Sequence, residues 1–116
     1  MDIRLHFSRR IDASHEGTSV PDECGDHLHG HTFEAEFDFM YDPLGDMTSP
    51  RPWVDRLIEE IDNRSLNDMI KPSIPSTYGL AMWLMHRLAQ NTRIERVKVW
   101  NGDVGVSVTN DNIRRK

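Results

Sequence analysis

Four of the chain's six histidines, His15, His27, His29 and His31, fall within 17 consecutive positions of a 116-residue sequence. His29-Gly30-His31 opens a segment, 32–39, with apolar groups at every odd position. Residues two apart on a strand share a face, so both imidazoles can converge on one metal ion. Gly30 leaves room between them. The same parity carries both histidines onto the face of Phe33 and Phe37, at one end of a buried surface where unliganded imidazoles are costly. Two candidates compete for a third ligand. His27 shares the parity of His29 and His31, whereas His15 ends an earlier alternating segment that can pair beside the second. Three neutral imidazoles with an open fourth position describe a catalytic zinc centre rather than a closed structural one. Glu34 and Glu36 fall on the solvent face. Cys24, the single cysteine, sits in the polar loop before His29. That setting suits a thiolate activated by a neighbouring cation; the commoner fate of a lone cysteine is as a small buried residue.

The elements that must position these groups are legible from periodicity. Ile3 to Phe7 alternates and reads as a strand that can continue to Ala13. Residues 16–28, rich in Gly, Asp and Pro, read as a loop, and 32–39 as a half-buried strand. Asp42-Pro43-Leu44-Gly45-Asp46 is a turn. A helix follows, with Ser49 as N-cap, Pro50 at the first helical position, and Val54, Leu57, Ile58 and Ile61 on one face. Locally, Asp62-Asn63 reads as its C-terminal turn. Pro72 and Pro75 interrupt the chain. A second helix begins at Ser76 or Thr77 with the stripe Leu80, Trp83, Leu84 and Leu88, and Met69, Met82 and Met85 are expected as core filler. Val97 and Val99, then Val104, Val106 and Val108, form two strands whose parity shifts across Asn101-Gly102, a hairpin signal. The order strand, strand, helix, helix, strand, strand predicts an α+β domain on an antiparallel sheet.

Composition narrows the function classes. The length suits a single domain over 1–116. With 14 basic and 19 acidic residues the net charge is −5. The one basic cluster, Arg114-Arg115-Lys116, reads as a solvated terminus, so nucleic-acid binding is not expected. No stretch approaches about 18 consecutive apolar residues, and no signal peptide is visible, so a cytoplasmic protein without a membrane span is expected. A single cysteine excludes an intramolecular disulfide and fits a reducing compartment.

Read in order, these residues resemble the 6-pyruvoyl-tetrahydropterin synthase and 6-carboxy-tetrahydropterin synthase family. Ala13-Ser14-His15, then Cys24, then His29-Gly30-His31 ahead of an alternating strand carry the resemblance. Gly45-Asp46-Met47 sits where the family has an aspartate followed by an apolar residue. Ile61-Asp62-Asn63-Arg64-Ser65-Leu66-Asn67-Asp68 is similar to its L-D-H-x-x-L-N-D. Pro75-Ser76-Thr77 with Leu80-Ala81 is similar to P-T-S-E-N-L-A, and Val97-Lys98-Val99-Trp100 to V-x-V-W. The resemblance implies a tunnelling fold (T-fold), in which subunits join sheets into a barrel and two trimers stack as a hexamer. It also implies Zn2+ held by His15, His29 and His31, and a site between subunits for a pterin with a three-carbon side chain. Cys24 then matches the proton-abstracting thiolate and Asp62 the aspartate of an Asp-His relay. Thr77, Asn63 and Asn101 match positions around the substrate.

The departures from the family pattern are chemical. The relay histidine falls on Asn63, which cannot shuttle a proton near neutral pH. The glutamate anchoring the pterin edge falls on Asn101, removing a charge-assisted pair. The glutamate of P-T-S-E falls on Tyr78. Losing one general acid or base typically costs about 10²–10⁴-fold in rate. His27, a spare imidazole in the cysteine loop, is a candidate replacement for the missing histidine, and Asp103 a candidate pterin-facing carboxylate. The expected function is a zinc-dependent pterin side-chain lyase resembling the 6-carboxy type and acting on 7,8-dihydroneopterin triphosphate. The alternatives are a diverged reaction such as aldolase-type cleavage of a dihydropterin, or a non-catalytic zinc- and pterin-binding oligomer.

Overall fold

The computed structural model describes residues 3–15, 29–41, 48–70 and 76–111. In chain order the elements are β1 (Ile3–His15), β2 (His29–Tyr41), α1 (Arg51–Ile61), β3 (Arg64–Ser65), α2 (Leu66–Met69), α3 (Thr77–Ala89), β4 (Ile94–Asn101) and β5 (Val104–Thr109). One five-stranded sheet has the order β3-β1-β2-β4-β5. The long pairs are antiparallel, and only the two-residue β3 runs parallel to β1. The α+β order foreseen from periodicity therefore holds, with β3 and α2 added. Elements of two and four residues carry no period from which they could be read. The expected loop at 16–28, the turn at 42–46 and Pro72 and Pro75 lie outside the described residues.

Strand parity sorts the sheet into two unlike faces. Odd positions of β1 and β2 turn toward the helices, and Ile11, Ala13, Phe33, Ala35, Phe37 and Phe39 are buried there. Val97 and Val99 join them from β4, opposite Val108 and Val106 of β5. The core closes when α1 contributes Val54, Leu57 and Ile61, and α3 contributes Leu80, Ala81, Leu84, Met85 and Leu88. Of the expected stripe positions, Ile58 and Trp83 are only partly buried against this core. Met82 departs from the core role expected of it: it is 39% exposed, because its position on α3 falls outside the stripe facing β4 and β5.

The opposite face is polar and knitted by ion pairs. Arg4 grips Glu95 with two bonds of 2.7 and 3.0 Å. Asp38, nearly buried, takes His6 on one oxygen at 2.6 Å and Arg96 on the other at 3.0 Å. A register shift between Asp38 and Phe39 leaves Glu95 without a Cα partner in the β2–β4 ladder. The Trp100 indole N–H donates to Glu36 at 3.0 Å, and its ring lies over Gly105, where an added Cβ would come within 2.6 Å of ring carbon.

The start of α1 differs by one residue from expectation, whereas α3 starts at Thr77 as expected. Pro50 is the N-cap residue of α1 rather than its first helical position, and the Ser49 hydroxyl accepts from the Arg51 N–H at 3.2 Å. At α3 the N-cap is Ser76, whose hydroxyl accepts from Gly79 N–H at 3.1 Å. The β4–β5 hairpin turns through Gly102 and Asp103. Gly102, at φ 64°, supplies the positive dihedral that a two-residue loop demands at its first position. Among the described residues, no helix is long and apolar enough to cross a membrane.

Candidate functional site

The antiparallel register of β1 and β2 decides where the histidines fall. His15 is the Cα partner of His29, and Ala13 that of His31. Directly opposed residues share a sheet face, as do residues two apart on one strand. Positions 15, 29 and 31 therefore form an adjoining set on the core-side face, at the end of the ladder beyond Ile11 and Phe33. Of the three, only His31 has a described side chain. Its ring is half-buried, 5.7 Å from the Phe33 ring, with Nε2 shielded from solvent. Among the described side chains no three metal-binding groups converge. The donor set fits a zinc ion by type, since neutral imidazoles are borderline ligands suited to it, and by register, since the three positions are nearest neighbours.

Beside His31 lies an open cavity of about 420 Å³, bordered also by Asp12, Ser14, Thr32, Asn63 and Arg64. Two backbone pairings build it. The parallel contact of β3 with β1 sets Arg64 against Ala13. The turn after α1 then clasps Asp12: its N–H donates to Asp62 Oδ1 at 2.8 Å, and the Asn63 N–H donates to its carbonyl at 2.6 Å. Asn63 makes this turn at φ 61°, a left-handed conformation that Asn tolerates better than most residues. On the polar side the Thr32 hydroxyl donates to Asp12 Oδ1 at 2.7 Å. That bond, helped by Arg10 and opposed by partial desolvation, lowers the Asp12 pKa from its ordinary value.

The expected site residues thus separate. His31 and Asn63 share the cavity, and Asp62 stands behind it, half-buried, with one carboxylate oxygen tied to β1. Asn101 ends β4 as the Cα partner of Phe33, one ladder step from His31 on the same face, but does not border the cavity. Thr77 is buried in the first turn of α3 and does not border it either. Tyr78 is exposed, and Asp103 lies in the exposed hairpin turn. Cys24 and His27 lie outside the described residues. The cavity residues Asp12, Thr32 and Arg64 carry no motif of their own. The β1–β2 register sets Asp12 against Thr32 and the β1–β3 pairing brings Arg64 beside them, and local periodicity encodes neither.

A family model described as 6-pyruvoyl tetrahydropterin synthase matches residues 4–111. The chain belongs to the 6-pyruvoyl tetrahydropterin synthase family. Solved structures share its T-fold. The 6-pyruvoyl tetrahydropterin synthase of Caenorhabditis elegans is 13% identical, with a TM-score of 0.78 over 95% of this chain and 96% of that one. An uncharacterized protein of Wolinella succinogenes is 15% identical, with a TM-score of 0.71 over 95% and 99%. A catalytic-residue mutant of Plasmodium vivax 6-pyruvoyltetrahydropterin synthase is 10% identical, with a TM-score of 0.62 over 95% and 98%. No curated protein sequence matches the chain.

Proposed function

We propose that the chain is a zinc-dependent lyase acting on the side chain of a pterin, of the 6-carboxy-tetrahydropterin synthase kind, with an altered proton relay. The observation carrying this reading is the β1–β2 register, which makes positions 15, 29 and 31 neighbours on one face beside an open cavity. His15, His29 and His31 would hold the metal. When bound, zinc supplies Lewis-acid polarisation of the substrate's side-chain oxygens, which acidifies the adjacent C–H.

The chain's own residues supply the rest. Cys24 takes a proton as a thiolate. Asp62 stands at the relay position, held rigidly by its bond from the Asp12 N–H. Asn63 offers the cavity a carboxamide, which can orient a polar ligand atom through both donor and acceptor but cannot carry a proton. Asn101 and Thr77 are substrate-side positions, and His27 is the candidate for the transfer that Asn63 cannot perform. A homo-oligomer, a hexamer of two stacked trimers, completes the proposal, with no nucleic acid or membrane involved and a cytoplasmic location.

The test is an end-point assay: zinc-loaded protein incubated with 7,8-dihydroneopterin triphosphate, with products identified by mass spectrometry and Cys24→Ala as control. A Cys24-dependent 6-carboxy or 6-pyruvoyl product is expected. A different cleaved pterin would instead favour a diverged, aldolase-type reaction, for which the non-titrating Asn63 is the motivating observation. Unchanged substrate with zinc bound would contradict the lyase reading and favour a binding role.

A further inference from the structure

A second cavity, of about 310 Å³, lies at the opposite end of β2 from the histidines, beside Tyr41. It opens between the start of α1 and the end of α3. Trp53, Gln90 and Asn91 also border a smaller cavity of about 140 Å³ between the same helices. The two differ in how their charges are used. In the smaller one, Arg87 is closed by a two-point bond to Glu60 at 2.8 and 2.7 Å. That pairing holds the Glu60 carboxyl below its ordinary range. In the larger one, the side chains of Gln90, Asn91 and Arg93 make no hydrogen bond or ion pair with described residues. Its described lining includes one guanidinium and no carboxylate, although the chain as a whole is acidic.

The indole of Trp53 is the second part of the observation. It is 37% exposed, and the Arg56 guanidinium lies over it, 5.1 Å from the ring centroid. Trp53 borders both cavities, whereas Arg56 borders the smaller one and not the larger. A cation on one face of an indole draws on its π density. The free face then favours an electron-rich ring in an offset stack.

We propose that this cavity is a binding site for a small planar aromatic anion. The ring stacks on Trp53, the acidic group meets the Arg93 guanidinium, whose fork matches a carboxylate, and the Gln90 and Asn91 carboxamides take polar atoms on the ring edge. A volume near 310 Å³ lies at the small end of ligand pockets and suits one or two fused rings. The site shares no described lining residue with the cavity at His31, so it stands or falls independently of the pterin chemistry.

The test is calorimetric titration of the intact protein with 2-naphthoate and with its uncharged analogue 2-naphthamide. Saturable 2-naphthoate binding is expected, weakened at least about tenfold by the amide and by Arg93→Gln, since a charge-assisted pair is lost. Trp53→Ala is expected to weaken both compounds. Arg93 is exposed, so its variant keeps the fold, which circular dichroism checks. Absence of saturable binding at millimolar ligand, equal binding of the two compounds, or binding unchanged in Arg93→Gln would each overturn the proposal.

Discussion

Asp62 fastens the end of α1 to β1: its Oδ1 accepts the Asp12 N–H at 2.8 Å, and Asn63 returns a 2.6 Å bond to the Asp12 carbonyl. One aspartate thereby sets the wall of the cavity beside His31 and is also the residue proposed for the proton relay. Its two duties can be pulled apart by substitution. Asp62→Ala leaves a partly buried N–H without its partner and is expected to cost about 1–2 kcal/mol, read as a lower urea midpoint. Asp62→Asn keeps the accepting oxygen and is expected to stay within about 1 kcal/mol of the parent, yet to lose about 10²–10⁴-fold in turnover if the carboxyl moves a proton. An unchanged midpoint for Asp62→Ala would refute the structural half of this assignment.

Asn63 is open to a more constructive change. Its φ of 61° is tolerated by Asn and His but strained for Ala by about 1 kcal/mol. Asn63→His therefore folds, and it places an imidazole beside the cavity. Turnover is expected to rise by roughly 10²-fold, with a new limb in the pH–rate profile near about 6.5. A rate and profile identical to the parent would contradict the view that this position lacks a relay.

Asp38 predicts the acid limb of the stability curve. Burial pushes its pKa up, but hydrogen bonds from His6 and Arg96 outweigh this, and the net direction is down. A carboxyl depressed in the folded state adds stability above its unfolded pKa of about 3.9, and that stability is lost as pH falls through the folded value. Asp38→Asn is expected to cost about 1–3 kcal/mol at neutral pH. The gap between variant and parent should close below about pH 4. A constant gap in urea titrations from pH 7 to pH 3 would show that Asp38 contributes through packing alone.

Gly105 makes room for Trp100. In Gly105→Ala the new Cβ would sit 2.6 Å from the ring as placed, and the half-exposed indole must swing away from Glu36. The expected result is a red-shifted tryptophan emission and a loss of about 1 kcal/mol, the worth of one exposed polar bond with some ring contact. Unchanged emission would mean that the ring accommodates the methyl without leaving Glu36.

The sheet was readable because its signal is local. The strict alternation from Thr32 to Phe39 announces which side of β2 is buried, and Phe33, Ala35, Phe37 and Phe39 are buried as that pattern requires. The two histidine positions that open the strand inherit its parity. What periodicity does not reach is pairing. The match of His15 with His29 depends on how β1 and β2 are brought together across residues 16–28, and the resemblance to the family, rather than spacing, singled out His15. Asp38 shows the complementary limit: alternation places it on the polar face but does not record that His6 and Arg96, 58 residues away in sequence, cover it. The turn at Asn63 and the two-residue β3 are fixed by bonds to Asp12 and by pairing with Ala13, and no local pattern records either.

In the proposed function the β1–β2 ladder assembles a zinc site from three histidines. The most direct test is zinc content by mass spectrometry after chelation, reloading and exhaustive dialysis, on the parent and on His15→Ala, His29→Ala and His31→Ala. The account predicts about one zinc ion per chain for the parent, as a site with three imidazole ligands requires, and strongly reduced retention in each variant. A parent chain that keeps no zinc, or a His15→Ala variant that keeps as much as the parent, would contradict it.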